Sequence, residues 1–127
     1  MKGARLRERA IACAFAVALL IAAAPGPYDK VTKSIREDPS YKVRMQAIRV
    51  LLKKLKADPK PPDNDVIEAL VDSALKDEEH LVRGLACYAL GELKDERGRD
   101  GLERAAKDRD SFVRAQAEEA MKTLEKS

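Results

Sequence analysis

Tryptophan is absent from this chain, and two phenylalanines and three tyrosines are all its remaining aromatics. So thin an aromatic supply, 4% of residues beside 45% hydrophobic, means that the core is built from aliphatic side chains. Histidine occurs once, at His80, so no histidine pair can hold a metal, and neither HExxH nor CxxC spacing is present. The two cysteines, Cys13 and Cys87, fall in different parts of the chain. Glycine-rich phosphate loops are missing as well. Gly98 and Gly101 lack the strand before and the Lys-Ser/Thr sequel that a nucleotide site requires.

What is present first is a leader. Lys2, Arg5, Arg7 and Arg9 precede an uncharged apolar run from Ala10 to Ala24, which ends in small residues as a secretory signal peptide does. The run is shorter than the roughly 20 residues that cross a bilayer, which favours a cleaved signal over an anchor. Ala22 and Ala24 fit a small-x-small cleavage site, but Pro25 would follow the cut, so processing elsewhere and retention as an anchor are both open. Cys13 is not placed as a lipoprotein cysteine, because the apolar run follows it. Residues 1–24 also hold Glu8, so of 25 basic and 22 acidic residues 21 of each remain beyond them. A charge-balanced body has weak attraction for phosphate backbones, and no nucleic-acid partner is expected. Cys87 then stands alone, without a partner for an internal disulfide, and reads as a small buried hydrophobe, the alternative being an intermolecular disulfide.

The body repeats one pattern three times: an aspartate, five residues, an arginine, two residues, an alanine. The copies are Asp38, Arg44 and Ala47; Asp77, Arg83 and Ala86; and Asp108, Arg114 and Ala117. A valine precedes each arginine (Val43, Val82, Val113), and from it apolar residues return at helical steps. Val82, Ala86, Ala89, Leu90 and Leu93 form one such stripe, and Val113, Ala117, Ala120, Met121 and Leu124 another. The first copy, Val43, Ala47, Val50 and Leu51, slips by one to Leu55. The spacing predicts helices over about 40–56, 80–94 and 111–125. A second amphipathic stretch precedes each aspartate, with Val31 and Ile35, Leu70 and Ala74, and Gly101 and Ala105 at matching positions.

The expectation is therefore an all-α chain, a solenoid of about three helical hairpins in units of about 28–56, 65–94 and 97–125, within a domain of 28–126. Asp65 and Glu68 are expected to form a capping box at the start of the second hairpin. The eight residues from Ala57 to Asn64 contain three prolines and account for the longer spacing of the first two aspartates, as a polar extended loop.

The stretch from Ala89 to Arg97, then Leu102, then Lys107 to Arg114, resembles the HEAT repeat, in particular the short bacterial kind also found in phycobilisome-lyase-like proteins. The first unit departs from the pattern by carrying Leu52 where Gly91 stands in the second. The resemblance implies a right-handed superhelix with outer helices, turns bearing Asp38, Asp77 and Asp108, and inner helices bearing the arginines and lining a concave face. It further implies that these aspartates bond to turn amides and to arginines of the same or adjacent units. Arg83, in the middle unit, is expected to matter more to folding than Arg44. Some enzymes of this family bind iron through paired His-Glu motifs, whereas this chain has only the reversed pair Glu79-His80.

Catalysis is not expected. No nucleophile or oxyanion motif accompanies His80, and neither a cofactor nor a metal is called for. Positions two, five and nine after each arginine avoid the core stripe: Gln46, Arg49 and Lys53; Leu85, Tyr88 and Glu92; Gln116, Glu119 and Thr123. Arg49, Lys53, Leu85, Tyr88, Glu92 and Glu119 are the candidate partner-binding residues, with Leu85 and Tyr88 either an exposed anchor or packed against neighbouring helices. Lys53, Lys54 and Lys56 read as a solvated helix end. The expected role is an exported, periplasmic or secreted scaffold or adaptor for a protein or peptide, touching membrane only through an uncleaved leader. The alternative is an accessory or lyase-like protein acting on a chromophore or other small ligand.

Overall fold

The structure, a computed structural model, describes residues 26–126; the leader expected at 1–24 lies outside them. Among the described residues the regular structure is helical throughout. Helices α1 (Asp29–Glu37) and α2 (Tyr41–Ala57) form the first pair, α3 (Asn64–Lys76) and α4 (His80–Leu93) the second. A 3-10 turn (Glu96–Gly98) then leads into α5 (Arg99–Ala105), which pairs with α6 (Ser111–Glu125). Contacts run within each pair and between successive pairs, α1 on α3 on α5 in one layer and α2 on α4 on α6 in the other. No substantial helix contact joins the first pair to the third, so the stack is an open row, as expected of a solenoid.

The aliphatic stripes make the seam between the layers. Val82, Ala86, Ala89, Leu90, Val113, Ala117, Ala120 and Leu124 are buried, and Ile35, Ile48, Leu51, Leu70 and Leu102 complete the core from the other helices. The first stripe is read differently by the fold. Val43 is 44% exposed, whereas Val82 and Val113 are fully buried. No layer precedes the first pair among the described residues, so this valine has nothing to cover it. Ile48 takes its place in the core, with Arg44, Ala47, Leu51 and Leu55 on the same face of α2.

The capping box is not formed. Helix α3 begins at Asn64 with Asp63 at the N-cap position, so Asp65 already lies inside the first turn. There it serves the positive end of the helix as a charge rather than as a cap. Asp110 does cap α6, accepting from the Phe112 and Val113 amides at 2.9 and 3.3 Å. The proline segment is irregular, as anticipated, and tied down at both ends. Tyr28 donates its hydroxyl to Asp58 at 2.7 Å, and Arg97 donates to the Pro62 carbonyl and to Asn64 Oδ1.

Gly91 sets how closely α4 and α6 approach. A Cβ there would sit 2.7 Å from the Ala120 Cβ and 2.8 Å from its Cα, closer than carbon atoms pack. At the matching position of α2 stands Leu52, half-buried, and no such approach is open to that helix. The two interfaces of the α2–α4–α6 layer therefore differ in kind.

Candidate partner-binding face

The three aspartates and arginines form a ladder that fixes one turn against the next. Each aspartate first closes its own turn: the amides of Ser40, Glu79 and Asp110 donate to Oδ1 of Asp38, Asp77 and Asp108, each at 2.9 Å. Each arginine then holds its own turn through Nη1, which donates to the carbonyl of Asp38, Asp77 or Asp108 at 2.8 to 2.9 Å. The rest of the guanidinium reaches forward. Arg44 forks onto both carboxylate oxygens of Asp77 at 2.9 and 3.1 Å, and Arg83 onto those of Asp108 at the same two distances.

Arg44 and Arg83 are both buried, and the ion pairs with them. The forked bond to Asp77 raises the Arg44 pKa against the cost of burial. Burial alone would lift the Asp108 carboxyl, but Arg83 and the Asp110 amide outweigh it and hold Asp108 below the usual carboxylate range. Since pairing runs to the following unit, the ladder arginine without a carboxylate among the described residues is the last one, Arg114, which is only half-buried. The forks of Arg44 and Arg83 match in geometry, so the ladder gives no ground for ranking Arg83 over Arg44; Arg83 adds a long bond to the Glu78 carbonyl at 3.4 Å, and Arg44 lies 3.8 Å from the Glu78 carboxylate.

This ladder holds α2, α4 and α6 side by side, and between α2 and α4 lies a groove of about 420 Å³. Ile48, Arg49, Leu52, Lys53 and Lys56 line it from α2, and Leu85 and Tyr88 from α4. Four of the six candidate residues, Arg49, Lys53, Leu85 and Tyr88, thus meet in one place. Tyr88 is 47% exposed and Leu85 half-buried. Glu92 borders this region by pairing with Lys56 at 3.0 Å. Glu119 does not join them; it is exposed on α6, 3.9 Å from Lys122.

Ile48, Leu52 and Lys56 were missed by the sequence reading. The substitution of Leu52 for the glycine of the next unit was the one available signal, since a bulky side chain there holds the backbones apart. Lys56, read as a solvated helix end, is indeed exposed, and its ammonium also crosses to Glu92 of the next unit. Chemically the arrangement is an apolar floor with a cationic rim along α2. It can take an apolar side chain and carboxylates beside it.

Elsewhere the chemistry is sparse. His80 is half-exposed, its Nδ1 3.1 Å from Glu79 Oε1 and its ring edge-on to Phe112 with centroids 6.4 Å apart. Cys87 is fully buried, and burial, helped by the Asp108 charge, pushes its thiol up to about 12. Among the described residues no three His, Cys, Asp or Glu side chains gather as a metal site would need. No described helix is long and apolar enough to cross a membrane.

Helical pairs stacked in an open row, locked turn to turn by recurring ion pairs, define an α-solenoid repeat protein. The family model for HEAT repeats matches residues 28–122, and the chain belongs to the HEAT-repeat family. No curated protein matches it. Chains of this family commonly serve as protein-interaction scaffolds, and that general class is where this one falls.

Proposed function

We propose that the protein is an exported, non-catalytic scaffold or adaptor that captures a protein or peptide on the face formed by α2, α4 and α6. The observation that carries this reading is the groove beside Leu85 and Tyr88, where an aromatic ring is held half in solvent over an apolar floor. Exposed aromatic anchors beside apolar pockets supply a large share of interface energy. Export rests on the basic start and apolar run of residues 1–24, and a mass measurement of the mature amino terminus tests it. The protein is then periplasmic or secreted, or tethered if the leader is kept.

The small-ligand alternative draws support from the size of the groove, which falls in the range of about 300–1,000 Å³ usual for ligand sites. It is the weaker reading, because the polar groups line one rim instead of converging on a point. The deciding experiment compares partner capture by the native chain and by Leu85→Ala/Tyr88→Ala. The double variant should keep its helical circular dichroism and lose its partner. Undiminished capture by a folded double variant refutes the reading.

A further inference from the structure

We infer that the occupant of the α2–α4 groove is an acidic peptide segment of a partner protein, with an apolar side chain seated on Leu52 and Leu85 and carboxylates on Arg49 and Lys53. This rests on the reading of that face as a protein-binding surface and adds the chemistry of what it binds. Three observations carry it.

First, Arg49 and Lys53 are both exposed and stand one helical turn apart on the same edge of the groove, within reach of neighbouring carboxylates on one ligand. Second, neither forms an ion pair among the described residues, whereas the third cation of the edge, Lys56, is already taken by Glu92. The fold has supplied a carboxylate for one cation and left two open beside an apolar floor. Third, the charge of the face changes sign along the stack. The position of Arg49 becomes Tyr88 in the second unit and Glu119 in the third, and Lys53 becomes Glu92 and then Thr123. An acidic segment is therefore drawn to the first interface and repelled from the last, which fixes where it lies. A nucleic acid would need an extended cationic track, and this face offers two free charges before it turns acidic.

The test is fluorescence anisotropy of the full chain with short labelled peptides. One probe carries a leucine flanked by aspartates and glutamates; its controls replace the leucine by serine or the acids by lysines. The acidic leucine peptide should bind saturably and weaken with salt, and both controls should bind at least about tenfold more weakly, as two rim pairs and one buried anchor imply. Arg49→Glu/Lys53→Glu should reverse the preference in favour of the lysine peptide. Equal binding of acidic and basic peptides, or unchanged binding by the charge-reversed variant, overturns the inference. Partner capture separates the two levels. Loss with Leu85→Ala/Tyr88→Ala but not with Arg49→Glu/Lys53→Glu rejects the acidic occupant and keeps the binding face, while capture unaffected by either variant rejects both.

Discussion

Replacing Arg83 by alanine is expected to bring the protein close to unfolding, and replacing Arg114 is expected to do little. Arg83 is 4% exposed and donates two bonds to the Asp108 carboxylate and one, at 2.9 Å, to the Asp77 carbonyl. Truncation leaves the Asp108 charge largely out of water with only the Asp110 amide to satisfy it. Breaking a buried pair in this way costs about 3–5 kcal/mol, against a total stability of about 5–15 kcal/mol for a domain. At about 4–8 °C per kcal/mol for a folded body of about 100 residues, the melting temperature should fall by roughly 12–40 °C. Arg114 makes one such bond, to the Asp108 carbonyl, and its loss should cost about 0.5–1.5 kcal/mol. Urea unfolding followed by far-ultraviolet circular dichroism measures both, and a double-mutant cycle with Asp108→Asn isolates the pair. Arg44→Ala should behave as Arg83→Ala does. Equal losses for Arg83→Ala and Arg114→Ala, or a loss of under about 1.5 kcal/mol for Arg83→Ala, would refute the claim that the forward-reaching fork holds the stack together.

Gly91→Ala forces a Cβ against the Ala120 backbone and should cost about 1–3 kcal/mol in the same unfolding assay, whereas Gly84→Ala, which meets the tip of the half-exposed Phe112 ring, should cost less because that ring can swing away. Ser73→Ala should raise stability by about 1 kcal/mol, since the buried Ser73 hydroxyl has no hydrogen-bond partner among the described residues; a thermal shift downward would contradict it. The Asp108 carboxyl is held below its unfolded value, so its contribution is complete above about pH 4 and disappears as the pH falls through the folded value. The native chain should accordingly destabilise on acidification below about pH 4, and Asp108→Asn should flatten that fall; parallel curves for the two would exclude this residue as a source.

Much of the fold could be read from recurrence alone. The repeated Asp, Arg and Ala place α2, α4 and α6 to within a residue or so of their observed ends, because a core stripe on a helix has a strict period. What escaped depends on neighbours. That Arg44 pairs with Asp77, and not with its own Asp38, is a matter of how far one turn lies from the next, which spacing within a unit does not encode. Val43 follows the stripe in sequence but has no layer in front of it among the described residues. At the candidate site, the residues that avoid the stripe were legible as surface. The groove itself was not, because it arises from Leu52 standing opposite a helix whose other side is closed down on Gly91.

The ladder has a direction, and that makes the molecule extendable by rule. Arg44 and Arg83 each clasp their own corner and hand their fork to the corner after it, so one unit is made to fit the beginning of another. A second copy of residues 77–107 spliced in before Asp108 would find its aspartate met by Arg83 and would offer its own arginine to Asp108. Length in such a chain can change by whole units without any residue having to learn a new neighbour.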